Sequence, residues 1–142
     1  MFPTVEQSIP AHLISNTRDP APVTVSLTYG IDDPFAVRMV FPASVSLNGT
    51  SVTWVFARSL LDSGLHGPSG GGDVHIWPYD RTRTMVELRS AAGLALLRFA
   101  TGPLRRFLLH TYATVPAELE SGALDVDGAL RVLLRGAKDW QD

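Results

Sequence analysis

At 142 residues the chain has the length of one domain and can bury roughly 68% of its unfolded surface. A hydrophobic fraction of 45% against 18% charged residues is ordinary for a globular protein, and a formal net charge of −2 excludes a global attraction to nucleic acid or anionic membrane. With no cysteine, disulfide frameworks and thiolate metal sites are excluded as well. The opening residues show no basic region leading into an apolar run, so no signal peptide is expected. The longest apolar run, 91–97, is far too short to cross a bilayer.

In chain order, a first strand is predicted over 5–14. Pro10 interrupts it, and because proline cannot donate to a ladder the strand is expected at a sheet edge or at a bulge. Residues 16–22, with Asp19-Pro20, form a turn. Over 23–29, Val23, Val25, Leu27 and Tyr29 alternate with Thr24, Ser26 and Thr28, the period of a half-buried strand. A turn at 30–34 leads to a third strand from 35 to about 44. Asn48-Gly49 is then the strongest hairpin signal, since both residues tolerate positive φ.

The stretch 54–78 organises the rest. Residues 50–56 are β-branched and aromatic, as a fourth strand should be. Residues 57–62 change to helix formers, with Leu60, Leu61 and Leu65 at roughly helical spacing and Gly64 where a helix stops. Residues 67–72 are too rich in glycine and proline to be anything but a loop. Residues 74–77 are extended again, and Pro78 ends them.

A polar turn at 79–83 separates this strand from one in which Met85, Glu87 and Arg89 alternate with Thr84, Val86 and Leu88. Ala92-Gly93 turns into a strand over 94–100. That makes about seven strands with short connections, which implies antiparallel pairing. Two helices close the chain. Leu104, Phe107, Leu108 and Thr111 form one face after Pro103, and Val115-Pro116 ends that helix. Asp125 or Asp127 would cap a final helix with Val126, Ala129, Leu130, Leu133 and Ala137 as its stripe. The expected class is α+β: a mainly antiparallel sheet or partial barrel, a short helix after the fourth strand and C-terminal helices.

Trp54-Val55-Phe56-Ala57-Arg58, Leu60-Leu61, Gly64-Leu65, Gly72-Asp73-Val74 and Trp77-Pro78 together resemble the SsgA-like proteins of sporulating actinobacteria in residue type and spacing. Tyr29 with Asp33-Pro34-Phe35-Ala36-Val37, Gly93 with Ala95-Leu96, Phe107-Leu108, Thr111 and Val115-Pro116 are similar to further landmarks of that family. Phe35 stands where a tyrosine is common. The resemblance implies a fold related to the whirly single-stranded nucleic-acid-binding proteins and assembly as a homotrimer. It also implies a cytoplasmic role at the division septum, recruiting or controlling FtsZ, septal peptidoglycan machinery or another SsgA-like protein. It brings no catalytic residues, no cofactor and no membrane insertion.

The residues themselves give chemistry little support. The loop 67–73 has no lysine and hydroxyl after its last glycine, and Asp73 would repel a phosphate. Ser63 or Ser69 with His66 and Asp73 would make a triad only on a rigid frame, which a glycine-rich loop does not supply. Asp73 and His75 stand at i and i+2, but His12, His66, His75 and His110 show no metal-ligand spacing. Asp32-Asp33 is turn chemistry before Pro34. Between Arg81 and Arg106 there are six arginines against Glu87, the basis of an alternative reading as a single-stranded nucleic-acid binder. Phe99 is the lone aromatic inside that stretch, with Trp77 and Tyr79 just before it. Trp54, Phe56 and Trp77 read as core and oligomer scaffold. Arg58, Asp62, His66, Asp73 and His75 are the candidate partner contacts, with a salt bridge or a helix cap as the structural alternative for the charged ones.

Overall fold

Alternate residues of seven strands share one apolar face, and the chain wraps that face around itself. A computed structural model describes residues 4–16, 18–45, 49–91 and 93–119. Its strands are β1 (Thr4–Ile14), β2 (Ala21–Gly30), β3 (Ala36–Phe41), β4 (Val52–Ala57), β5 (Val74–Pro78), β6 (Arg83–Ser90) and β7 (Gly93–Ala100). Two α-helices, α1 (Arg58–Gly64) and α2 (Thr101–Thr114), join them, with 3-10 turns at Ala43–Val45 and Ala117–Leu119. All pairings are antiparallel, in the order β4-β3-β2-β1-β7-β6-β5.

Register fixes the faces. Ile9 opposite Val25, Leu27 opposite Met39, Ala11 opposite Phe99 and Val86 opposite Leu97 lie on the inner face, all buried. Their neighbours, such as Glu6, Ser8, Thr24 and Thr28, lie on the outer face. The sheet is curled into a half-barrel: Trp54 of β4 and Leu88 of β6, separated by four strands in sheet order, line one cavity.

Helix α2 fills the concave side with Leu104, Phe107 and Leu108. Burying each of these is worth roughly 1.5–3 kcal/mol. Its first residue, Thr101, is tied to the sheet through its N–H to the Thr82 carbonyl (2.8 Å) and its hydroxyl to that of buried Thr84 (2.7 Å). Pro103 lies in the first turn, where a missing N–H leaves no bond unmade. The apolar face expected for this helix is the buried one.

Several boundaries differ from the sequence reading. The third strand stops at Phe41, and Pro42 separates it from the 3-10 turn. Gly49 has φ +75°, while Asn48 lies outside the described residues. The final helix expected with Asp125 or Asp127 as its cap also lies outside them. Pro10 is not on an edge strand by sheet order, since β1 is the central strand. Yet β7 joins β1 only over Ala11–Ile14, so the segment carrying Pro10 is laddered to β2 alone. The rule that proline avoids a doubly paired strand holds residue by residue.

Gly64 does more than stop a helix. It is the buried last residue of α1, and an added Cβ would lie 2.3 Å from Ile76 Cγ2. The absent side chain lets α1 lie directly on β5.

Candidate interaction site around α1 and the glycine loop

The two sheet edges, β4 and β5, are consecutive in the chain and joined by α1 and the loop 65–73. Every candidate contact residue falls on this connection or just beyond it. The structure sorts them into buried and exposed.

Arg58 is buried at 0% exposure. Its guanidinium lies between the rings of Tyr29 (4.8 Å to centroid) and Tyr112 (4.1 Å). Its Nη1 donates to the carbonyls of Thr111 (3.1 Å) and Val115 (2.7 Å) at the C-terminal end of α2. A fixed cation there satisfies the carbonyl of Val115, just past the helix, adds a second bond to the Thr111 carbonyl that already accepts the Val115 N–H, and complements the helix dipole. The Arg58 N–H donates to the Phe35 carbonyl (2.7 Å), and the Tyr29 hydroxyl to that of Pro34 (2.8 Å). The expectation that Arg58 meets a partner is therefore corrected: it is the internal joint between β4, α1 and α2.

Asp62 is half-buried and accepts a hydrogen bond from the Tyr112 hydroxyl (2.9 Å), which extends the same network across α1 and α2. His66 is exposed, with Nδ1 3.0 Å from the Asp62 carbonyl and 3.9 Å from its carboxylate. Asp73 is exposed at the end of the glycine loop. Its carbonyl accepts from the Arg89 N–H (2.8 Å), and its carboxylate has no ion pair among the described residues. His75 faces Glu87 across the β5–β6 ladder with Nδ1 3.1 Å from the carboxylate, which also meets Arg89 (3.3 Å). Asp73 precedes β5 and His75 is inside it, so the two do not act as a strand pair. Among the described residues no three potential metal ligands cluster. The Ser69 hydroxyl donates to Gly67 (3.1 Å) while His66 faces Asp62, so serine and histidine are engaged separately.

The aromatics divide too. Phe56 is buried on the inner face, and Trp54, also inward, is half-buried against a cavity of about 180 Å³ shared with Leu13, Phe41, Leu88 and Leu97. Trp77 is half-buried on the opposite, convex face, where it pairs with Met85 and continues to Arg98 and His12. It is thus not part of the inner core. The alternation of Val74 and Ile76 with His75 and Trp77 carried that signal.

The arginines of 81–106 do not form one surface. Arg83 is held by the Asp80 carboxylate (2.6 and 3.0 Å) and stacks on Tyr79 (4.9 Å), and Arg89 pairs with Glu87. Arg98 is on the convex face, while Arg105 and Arg106 are on the solvent side of α2, which packs on the concave face. Asp80 also accepts the Thr82 and Arg83 N–H groups (3.0 and 2.9 Å), closing the β5–β6 turn. The Arg83 hydrogen bond, then those N–H groups, hold its carboxyl at about 2, below the usual carboxylate range.

Residues 23–120 match the family model described as Streptomyces sporulation and cell division protein, SsgA. The chain belongs to the SsgA family. The sporulation-specific cell division protein SsgB of Salinispora tropica is 40% identical over 136 residues, 94% of each chain. SsgB of Streptomyces coelicolor is 36% identical over 137 residues, 94% of this chain and 98% of the relative. A crystal structure of an SsgA-like sporulation-specific cell division protein from Thermobifida fusca superposes with a TM-score of 0.79 at 34% identity, covering 92% of this chain and 95% of that one. A structure from work on SsgB mutations that correlate with longitudinal cell division during Streptomyces coelicolor sporulation gives 0.79 at 35%, covering 87% and 98%. The SsgA-like resemblance and the antiparallel seven-stranded fold are thereby established. Among the described residues no helix is long and apolar enough to cross a membrane.

Proposed function

We propose that this SsgA-like protein is a non-enzymatic, oligomeric adaptor in sporulation-specific cell division. Likeness over 94% of both chains to a protein named for that process carries the reading. In this proposal a homotrimer in the cytoplasm, at the division septum, presents repeated surfaces to the FtsZ ring or to septal peptidoglycan machinery. Repetition of one weak site can raise apparent affinity by a factor of order 10². The contacts assigned to partners are those that face solvent on the α1–β5 connection: His66, Asp73 and the half-exposed His75 and Asp62.

The test is capture of purified FtsZ by the immobilised protein, with Asp73→Ala as the variant and its melting temperature as control. Capture by the wild type, reduced in Asp73→Ala without loss of stability, supports the adaptor. Tight binding of single-stranded DNA with a steep salt slope, and no capture of FtsZ or septal proteins, would replace it by the nucleic-acid reading. Light scattering that finds only monomer removes the multivalent display.

A further inference from the structure

Strand β4 is a sheet edge. Its sequence, Val52-Thr53-Trp54-Val55-Phe56-Ala57, contains no charge and no proline, the features by which edge strands avoid recruiting another chain. The Arg58 N–H donates to Phe35 and the register pairs Phe56 with Val37 and Trp54 with Met39. Backbone groups of an antiparallel strand alternate sides. Phe56 and Trp54 therefore bond to β3, and Thr53, Val55 and Ala57 point their N–H and C=O groups out of the sheet. All three residues are exposed, Val55 at 53%.

Beyond this edge lies a groove of about 410 Å³. Its inner wall is Trp54, Phe56, Leu60 and Val74, and its far wall is the glycine loop. At Gly71 and Gly72 an added Cβ would meet open space, so no side chain obstructs that wall. The loop is anchored where it must be: Ser69 and Ile76 exchange two backbone hydrogen bonds (2.9 Å each), and Gly70, at φ +108°, lies against the Val74 carbonyl.

Strand direction says what would fit. Six antiparallel pairings separate β4 from β5, so both edges run the same way. A segment antiparallel to β4 would continue the alternation around the half-barrel. On β5, Ser69 already supplies such an antiparallel contact. On β4 nothing in the described chain does. Asp73, exposed and without an ion pair among the described residues, is the charge on the rim.

We infer that β4 accepts an extended segment of a partner protein by strand addition. Apolar side chains at alternate positions would enter the groove, and a lysine or arginine would face Asp73. Main-chain hydrogen bonds supply affinity in this mode and alternate pockets supply specificity. The inference rests on the adaptor reading for its biological sense and names the partner chemistry that reading lacks.

The probe is a displayed library of random heptapeptides selected on the full-length protein. Val55→Pro removes only an N–H that the β3 ladder does not use, and Gly71→Trp obstructs the groove from its other wall. The expected peptides alternate apolar residues, carry a basic one, and lose at least tenfold in affinity on Val55→Pro, Gly71→Trp and Asp73→Lys, with melting unchanged in at least two of the three. No enrichment, or peptides held equally by the wild type and Val55→Pro, overturns the inference. An oligomer that Val55→Pro takes apart, seen by light scattering, gives β4 to a second copy and overturns it also. FtsZ capture undiminished by Val55→Pro, with no selected peptide sensitive to it, removes the edge site and leaves the adaptor. Peptides sensitive to Val55→Pro, with no division protein captured, retain the edge site and remove the adaptor.

Discussion

Arg58→Ala tests the central structural assignment. The wild-type guanidinium makes two hydrogen bonds to α2 carbonyls and is sandwiched by two tyrosine rings at 0% exposure. A hydrogen bond from a charged donor contributes about 1.5–3 kcal/mol, and removing one partner from a buried ionic arrangement costs about 3–5 kcal/mol. Alanine also leaves a hole between Tyr29 and Tyr112. The expected loss is ~3–5 kcal/mol in urea denaturation with the m-value unchanged. At about 3 °C per kcal/mol for a chain of this size, melting falls by ~10–15 °C. Arg58→Lys keeps the charge but not the planar fork that meets two carbonyls and two rings, so about half the loss should remain. A loss under ~1 kcal/mol for Arg58→Ala, accompanied by lost partner capture, would refute the internal-joint assignment and return Arg58 to the surface.

Gly64→Ala should destabilise by about 1–3 kcal/mol through overpacking against Ile76. A stabilisation by roughly the helix-propensity difference of ~1 kcal/mol would show that α1 can move off β5. Gly70→Ala, at φ +108° and with a Cβ that would collide with the Val74 carbonyl oxygen, should lower the melting temperature clearly, whereas Gly71→Ala, with open space, should leave it nearly unchanged; equal effects would contradict the anchored-tip geometry. Asp80 has a folded pKa of about 2, below its unfolded value near 4. Its contribution is therefore present above about pH 4 and lost as pH falls through about 2. A carboxyl titration by NMR with a midpoint near 4 for Asp80 would show that the Arg83 bond is not kept in solution.

What the sequence made legible followed local periodicity. The alternation of 23–29 and the α2 face of Leu104, Phe107 and Leu108 are buried as the patterns require, because period 2 and period 3.6 are properties of single elements. What it concealed depended on residues far apart. Pro10 looked like an edge signal for a whole strand, but edge character changes along β1 where β7 begins to pair. Arg58 looked like a surface charge because its cage comes from Tyr29, 29 positions earlier, and Tyr112, 54 positions later. The glycine loop was legible as a loop, but its relation to an open β4 edge required the sheet order.

The connection between β4 and β5 thus does two separable jobs. Phe56, Arg58 and Gly64 hold it to the sheet and to α2, and each is buried. His66, Asp73 and the Gly71–Gly72 tip face solvent. A function lost on substituting the first set reports unfolding of the joint, since one buried cation links β4, α1 and α2. A function lost on substituting the second set, at unchanged melting temperature, reports contact. The same logic sets what Val55→Pro means. Its side chain and outward N–H belong to the solvent set, although its neighbours Trp54 and Phe56 on the same strand belong to the core, so an effect confined to position 55 assigns the function to the edge and not to the fold.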